Sequence, residues 1–119
     1  RDCLLSRGLG DVYKRQQITR MKNVLTYIRN NYGEPITLDE LAAVAGMSSR
    51  YFCRAFAALT GRTPIAYLNY YRIECACERL TLTDKSVTEI AFACGFNDMS
   101  YFSRVFKQLK GTTPTAYRN

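Results

Sequence analysis

The sequence contains no histidine, and this absence removes many of the sites at which proteins do chemistry. Without histidine, the Ser/His and Cys/His pairs of nucleophilic enzymes cannot form, and the acidic residues are scattered near helix starts rather than paired. The five cysteines include no CxxC motif, which argues against a zinc site and against a disulfide framework. We therefore expect a protein that is not an enzyme and that needs no metal or other cofactor.

Long apolar runs are missing as well. The longest apolar stretches are a few residues, far short of the about 20 residues of a membrane-spanning helix. Apolar residues nevertheless make up 47 % of the 119 residues, which is enough for a packed core. No segment shows a strand pattern. These features favour an all-α protein located in the cytoplasm.

Acidic residues are in the minority. The chain has 10 Asp and Glu against 17 Lys and Arg, so its net charge is +7. Basic residues are concentrated in two corresponding segments that contain no acid, Ser48–Arg62 and Met99–Lys110. This distribution favours a polyanionic partner.

What the sequence does have is an internal repeat. Tyr51–Tyr67 reads YFCRAFAALTGRTPIAY and Tyr101–Tyr117 reads YFSRVFKQLKGTTPTAY, with ten of the seventeen positions identical at an offset of 50. Upstream the likeness continues at an offset of 49, from LAAVAGMS at Leu41 to IAFACGFN at Ile90. A period near 50 residues predicts one helical unit that is built twice.

Capping and terminating residues divide the chain into about seven helices. Apolar residues at 3–4 spacing predict a first helix from Ile18 to about Asn31. Capping boxes at Thr37 and Ser86 each begin a short helix, and the glutamate three residues later is expected to accept from the cap amide. Serine or aspartate caps and closing glycines bound the longer helices. After the first helix we predict helices at 38–45, from a cap at Ser48 or Ser49 to about Thr60, at 64–80, 87–94 and 99–110, and a short closing turn from Pro114.

Each copy of the repeat consists of a short helix, a glycine turn and a longer basic helix. This is the helix-turn-helix arrangement, in which the second helix enters the major groove of DNA. We predict a first helix-turn-helix at 36–62, a long connecting helix at 64–80 and a second helix-turn-helix at 86–111. The connecting helix is expected to be roughly 26 Å long. We call the longer basic helix of each motif its reading helix. With packing offsets, the two reading helices would then lie about one DNA turn, roughly 34 Å, apart.

The second copy carries two patterns, GFxDxSxFxRxFK at Gly95–Lys107 and GTTPxxYR at Gly111–Arg118. With them the chain resembles the DNA-binding domain of the AraC/XylS family of bacterial transcription regulators, over roughly Ile18 to Asn119. The resemblance implies two helix-turn-helix units on one connecting helix, bound to promoter DNA as an activator or repressor. It also implies a contact with RNA polymerase and, in many relatives, a preceding effector-binding and dimerisation domain, which we expect to be missing from this chain.

Residues 1–16 differ from the rest of the chain. They contain two glycines and show no sustained period. They also resemble a translated sequencing-adapter segment, and we interpret them as a non-native or disordered leader. The predicted DNA-binding domain therefore covers residues 17–119.

Helical spacing divides each reading helix into an inward and an outward face. The inward face is expected to be aromatic and to end with a leucine, namely Phe52, Phe56 and Leu59 in the first copy and Phe102, Phe106 and Leu109 in the second. On the connecting helix, we expect Arg72 to form ion pairs with Glu74 and Glu78. The candidates for burial there are Ile65, Leu68, Tyr71 or Arg72, Cys75 and Leu80.

The outward faces carry the candidate DNA contacts. Arg54 and Arg104 occupy the same place in the two copies, and a guanidinium can bridge O6 and N7 of guanine. Family members use the aligned positions for base and backbone contacts. The candidates are Ser49, Arg50, Cys53, Arg54, Met99, Ser100, Ser103, Arg104 and Lys107, with Lys110, Thr113 and Arg118 as weaker phosphate contacts. We interpret Asp98 as a helix cap rather than a base reader.

Two interpretations of function remain. In the first, the chain is a sequence-specific, double-stranded DNA-binding transcription regulator with its two recognition helices in successive major grooves of a promoter site. In the second, it is an all-α protein-interaction module that docks an acidic partner such as RNA polymerase. Steep salt dependence of binding to duplex DNA would favour the first interpretation.

Overall fold

The computed structural model describes the backbone of residues 2–119 and the side chains of residues 12–119, and most of these residues lie in helices. In this described part of the chain there are seven helices and no strand. The helices are α1 (Asp2–Asn31), α2 (Leu38–Ala45), α3 (Ser49–Thr60), α4 (Pro64–Leu82), α5 (Val87–Ala93), α6 (Met99–Lys110) and α7 (Pro114–Arg118). The prediction of an all-α fold with about seven helices is confirmed.

The helices form two three-helix units, each around its own hydrophobic core. The first core contains residues of α1, α2 and α3, and the second contains residues of α4, α5 and α6. Helix α4 contributes to both, because Leu68 is buried in the first core and the second begins at Ile73 on the same helix. The two units are therefore joined by packed helix rather than by a flexible linker.

The repeat extends to the first helix of each unit, which the sequence comparison did not reach. Three buried residues of α1 have buried counterparts in α4 at a constant offset of 52. The pairs are Met21 with Ile73, Val24 with Ala76, and Ile28 with Leu80. Helix α1 is thus to the first unit what α4 is to the second.

Aromatic rings hold α3 and α6 in place by the same contacts in both units. Adjacent rings contact each other at tilted or edge-to-face angles, which is a favourable geometry for aromatic pairs. The ring-centre distances are 5.6 Å for Phe52–Phe56 and 5.6 Å for Phe56–Tyr67, against 5.8 Å for Phe102–Phe106 and 5.5 Å for Phe106–Tyr117. The spacing shared by the two copies of the repeat therefore builds the same aromatic ladder twice.

The capping boxes form, but not with the expected second bond. The amide of Glu40 donates to Thr37 Oγ1 at 3.1 Å, and the amide of Glu89 donates to Ser86 Oγ at 3.1 Å. In both boxes the glutamate carboxylate accepts from the cap hydroxyl, at 3.4 and 3.2 Å, instead of from the cap amide. A hydroxyl can accept from the amide and donate to the carboxylate at once, which accounts for the difference.

Helix α1 begins at Asp2 rather than near Ile18, so the predicted start of the first helix is wrong. Adding turns to the N-terminus of an existing helix needs no new nucleation, so a segment without a clear apolar period can continue it. Tyr13 and Gln17 also hydrogen-bond the hydroxyl of Tyr51 on α3, at 2.6 and 2.5 Å. The non-native origin of residues 1–16 stays a prediction, and the side chains of residues 1–11 lie outside the described part.

Helix α4 departs from its predicted burial pattern because it serves two cores in turn. It ends at Leu82, two residues beyond the predicted end, and its buried residues follow no single stripe. Leu68 and Leu80 are buried as expected, and of the alternatives Tyr71 and Arg72 it is Arg72 that is buried. Ile65 is 38 % exposed, and Tyr71 and Cys75 are only half-buried. The residues missed are Ile73, Ala76 and Cys77.

Arg72 joins the two units, but through carbonyls and not through the predicted ion pairs. Its Nε donates to the carbonyl of Tyr32 and its Nη2 to the carbonyl of Glu34, both at 2.9 Å. The turn between α5 and α6 closes over this junction: a Cβ on Gly95 would lie 2.2 Å from the Tyr32 oxygen and 2.7 Å from Arg72 Nε. The end of α1, the middle of α4 and the second turn therefore meet at one point.

Candidate nucleic-acid interface

The two longer helices of the turn motifs, α3 and α6, are ordered from their first residues by side-chain caps. Ser48 Oγ accepts from the amide of Tyr51 at 3.3 Å, and Asp98 Oδ1 accepts from the amides of Ser100 and Tyr101 at 2.9 and 3.2 Å. Asp98 is therefore a cap, as predicted. Neither helix contains an acidic residue, so no carboxylate on α3 or α6 offsets their positive charge.

Arg54 and Arg104 are exposed at equivalent positions of the two helices. The guanidinium carbon of Arg104 lies 5.4 Å from the ring centre of Tyr101, one turn earlier on α6. Four other candidates are also exposed on these helices, so the outward face of α3 carries basic groups and that of α6 carries both basic and hydroxyl groups. They are Arg50 on α3 and Ser100, Ser103 and Lys107 on α6.

Three candidates have a less open environment than the sequence suggested. The hydroxyl of Ser49 donates to Asp39 Oδ1 of α2 at 2.5 Å, and this bond ties the two helices of the first motif together. Cys53 is half-buried. Met99 was expected to point outward, but it packs against the second core, because the first residue of α6 lies beside α4 and α5 as the chain enters the helix.

The three weaker candidates all have partners within the chain. Lys110 Nζ donates to Glu74 Oε1 of α4 at 2.5 Å, and this bond raises the pKa of Lys110. The Oγ1 of Thr113 accepts from the amide of Ala116 and so caps α7. The guanidinium of Arg118 donates to two backbone carbonyls at the end of α4, those of Leu80 and Thr83, both at 3.2 Å.

Leu59 and Leu109 are 45 % and 40 % exposed, so the prediction that they are buried is wrong. Each lies at the far end of its helix, beyond the aromatic ladder, on the rim of an open cleft between the first and third helices of its unit. Seven residues line each cleft at positions that are equivalent in the repeat, although several of the residue types differ. The lining is Lys14, Gln17, Tyr51, Arg54, Ala55, Ala58 and Leu59 in the first unit, and Ala66, Asn69, Tyr101, Arg104, Val105, Gln108 and Leu109 in the second; Tyr13 also lines the first cleft.

Tyr51 and Tyr101 lie beside the candidate arginines, but the sequence alone did not predict a role for them at the interface. Hydrogen bonds to Tyr13 and Gln17 lower the pKa of Tyr51, and Asn69 donates to the hydroxyl of Tyr101 at 2.6 Å. Their identity in both copies was a usable signal, but tyrosine next to a buried phenylalanine is most simply interpreted as packing.

The described part of the chain offers no cluster of three or more His, Cys, Asp or Glu side chains that could hold a metal ion. Four cysteines in it are free thiols: Cys53, Cys75, Cys77 and Cys94. Burial raises the pKa of Cys94 to about 11, so this thiol stays protonated at neutral pH. The side chain of Cys3 lies outside the described part. Among the described residues, no helix is both long and apolar enough to cross a bilayer.

With two exposed basic helices on one connecting helix established, comparison with known proteins identifies the family. A family model described as a helix-turn-helix domain matches residues 41–119, which include both turn motifs. The chain belongs to the AraC-type helix-turn-helix family. Among the curated relatives, the transcriptional activator RhaS of Klebsiella pneumoniae is 38 % identical over 79 residues, or 66 % of this chain. The chain spans only 28 % of the length of RhaS.

Solved structures of AraC-type domains share the fold. The DNA-binding domain of AdpA, a global transcriptional factor crystallised with a target DNA, is similar with a TM-score of 0.76 and 36 % identity, over 80 % of this chain and 86 % of that one. A regulator with an AraC-type DNA-binding domain from Chromobacterium violaceum is similar with a TM-score of 0.77 and 29 % identity, over 84 % of this chain and 89 % of that one. The resemblance seen in the sequence is thus confirmed in the fold.

Proposed function

We propose that the chain binds double-stranded DNA sequence-specifically, with α3 and α6 in successive major grooves of a promoter site, and so regulates transcription. The observation that carries this proposal is the pair Arg54 and Arg104, which are exposed at equivalent positions on two capped helices that contain no acid. The similarity to RhaS, named as an activator, and to the DNA-bound domain of AdpA supports it.

The connecting helix α4 supports a fixed distance between the two reading helices. Its 19 residues correspond to about 28 Å at 1.5 Å per residue. Because α4 is buried in both cores, the units cannot drift apart as they would on a loop. With the offset of each reading helix from the axis of α4, a separation of about 34 Å, one turn of DNA, is within reach.

The proposed contacts fall into two kinds. Arg54 and Arg104 read guanine, and Ser100 and Ser103 offer hydroxyls to neighbouring base edges or phosphates. Arg50 and Lys107 contact phosphates, together with the amides at the N-terminus of α3 that the Ser48 cap leaves free. Lys110, Thr113 and Arg118 remain weaker phosphate candidates, since each would share or give up a partner within the chain.

Other properties follow from the function as expectations. Because α3 and α6 differ in sequence, the DNA site should be asymmetric. A contact with RNA polymerase, a cytoplasmic location and an effector-binding or dimerisation domain in the longer protein complete the proposal. These expectations rest on the family resemblance, since the chain spans only about a quarter of its curated relatives.

Selection from a random pool of duplexes, followed by titration, tests the proposal. The wild-type chain should enrich one asymmetric site and bind it with a steep dependence on salt. Arg54→Ala and Arg104→Ala should each lower affinity for the selected site by about 1–3 kcal/mol and relax one base-pair preference. Lys107→Ala should weaken binding to all sequences equally and reduce the salt slope by about one.

Arg29→Ala is the matched control, because Arg29 is exposed but lies on α1, outside both reading helices. It should leave the base preferences unchanged. Equal losses on selected and scrambled DNA for both Arg54→Ala and Arg104→Ala would contradict base reading. A wild-type chain that enriches no site and shows no salt dependence would instead favour the protein-interaction interpretation.

A further inference from the structure

A carboxamide on the first helix of each unit holds the tyrosine of that unit's reading helix. Gln17 Nε2 of α1 donates to the hydroxyl of Tyr51 on α3 at 2.5 Å. Asn69 Nδ2 of α4 donates to the hydroxyl of Tyr101 on α6 at 2.6 Å. We call these two contacts, Gln17–Tyr51 and Asn69–Tyr101, the amide–tyrosine clamps.

The two clamps occupy the same place in the repeat. Tyr51 and Tyr101 are aligned at the offset of 50 that relates the reading helices, and Gln17 and Asn69 are aligned at the offset of 52 that relates the buried residues of α1 and α4. Each carboxamide lies four residues before the first of those buried residues, Met21 or Ile73. The same polar contact at the same register in both units indicates a built feature of the fold.

The clamped tyrosines adjoin the proposed base readers. Tyr51 and Arg54, like Tyr101 and Arg104, are three residues apart and so are neighbours on one face of their helix. The two side chains of each pair line the same cleft, and Arg104 also lies over the ring of Tyr101. A shift of either tyrosine therefore moves the arginine beside it.

Packing alone leaves some freedom to the reading helices. The aromatic ladder holds each reading helix only on its inner side, through contacts between rings. A hydrogen bond is directional, and at the outer side of the helix it opposes rotation about the helix axis and sliding along it. The clamp is thus placed where it limits the motion that would misalign Arg54 or Arg104.

We propose that Gln17 and Asn69 are positioning residues for DNA recognition. Each holds the reading helix of its unit through a tyrosine hydroxyl and so maintains the orientation of the adjacent arginine towards one base pair. This inference rests on the proposed function. Beside the first clamp, Tyr13 of the leader 1–16 also hydrogen-bonds the hydroxyl of Tyr51 at 2.6 Å and accepts from Gln17 at 2.8 Å.

Removing only the hydroxyl or only the carboxamide tests each clamp. Tyr101→Phe and Asn69→Ala are made in the full chain, with Tyr51→Phe and Gln17→Ala for the first unit. The ring of Phe still lies under Arg104 in Tyr101→Phe. Affinity is titrated on the duplex that wild-type selection enriches and on a scrambled duplex, and each variant is also put through selection.

Tyr70→Phe and Gln16→Ala serve as controls, since Tyr70 packs under Arg62 and Gln16 is exposed beside Gln17.

We expect each variant to lose about two- to tenfold in affinity for the selected duplex, the range that one hydrogen bond changes in an equilibrium. The loss on scrambled DNA should be smaller. Base preference should relax only at the half-site of the altered unit, so each unit is the control for the other. The double variant Asn69→Ala with Tyr101→Phe should lose no more affinity for the selected duplex than either single variant, because both changes remove the same hydrogen bond. Gln17→Ala should cost less than Tyr51→Phe, since Tyr13 still holds Tyr51.

Three results would overturn the inference. The first is affinity and base preference within error of the wild type in all four variants. The second is an equal loss at both half-sites and on scrambled DNA, accompanied by a fall in the unfolding temperature, which would make the clamps merely structural. The third is additive losses for Asn69→Ala and Tyr101→Phe. If the wild-type chain itself enriches no duplex, the proposed function fails, and the clamps fail with it as positioning residues.

Discussion

Basic side chains of this chain have different roles because they have different partners. Arg54 and Arg104 lie on helices without acid and are exposed, so a ligand can reach them. Lys110 is bound to Glu74, and Arg72 is bound to the carbonyls that follow α1. A charge count could show that the chain favours a polyanion, but it could not show which cations are already engaged.

Gly95 is the position at which one methyl group should cost most. It has a φ of +97°, which L side chains rarely adopt, and a Cβ there would lie within 3 Å of the Tyr32 carbonyl and of Arg72. Gly95→Ala should therefore lower the free energy of unfolding by about 2–5 kcal/mol, from backbone strain and overpacking together. Urea unfolding measures this loss.

Gly46 provides the matched control, because it is the equivalent turn glycine of the first unit. Its φ is +70°, but nothing lies within 4 Å of the position of its Cβ. Gly46→Ala should lower the free energy of unfolding only through backbone strain, by about 1–2 kcal/mol. Similar losses in the two variants would show that the junction at Arg72 yields easily, contrary to the packing described.

The helices themselves could be predicted from the sequence where end signals were present. Thr37 and Asp98 cap their helices as expected, and of the two candidate serines Ser48 caps α3. Helices α2 and α6 begin and end at the predicted residues, and α3 ends at Thr60 as predicted. The start of α1 was missed because it depends on continuation of an existing helix and on contacts with α3, neither of which leaves a local signal. The burial of α4 was only half predicted, since a helix shared between two cores has no single period.

The cap of α6 separates a structural role from base reading. Asp98→Ala removes the acceptor of two amides and should destabilise the chain by about 0.5–2 kcal/mol. Asp98→Asn keeps a good cap and should retain both the stability and the base preference of the wild type. Thermal unfolding and duplex selection on both variants provide the measurement. A changed base preference in Asp98→Asn with unchanged stability would show that Asp98 reads DNA.

Taken as one body, the protein is two copies of a three-helix unit that share α4. The sequence revealed the repeat in α2, α3 and their counterparts, but not in α1 and α4, whose likeness lies in burial and not in residue identity. The clamps could not be predicted from the sequence either. They join residues 34 and 32 positions apart, which only the packing of helices brings together. The arginine pair needed no such packing information, because helical spacing alone places it outside.

Methylation interference on the selected duplex tests most directly whether α4 holds two arginine-bearing helices one DNA turn apart. Methyl groups at guanine N7 block the contact that Arg54 or Arg104 is proposed to make. We predict two interfering clusters on one face of the duplex, with centres about 10–10.5 base pairs apart. Arg54→Ala should abolish one cluster and Arg104→Ala the other. A single cluster, or two clusters on opposite faces of the duplex, would contradict the account.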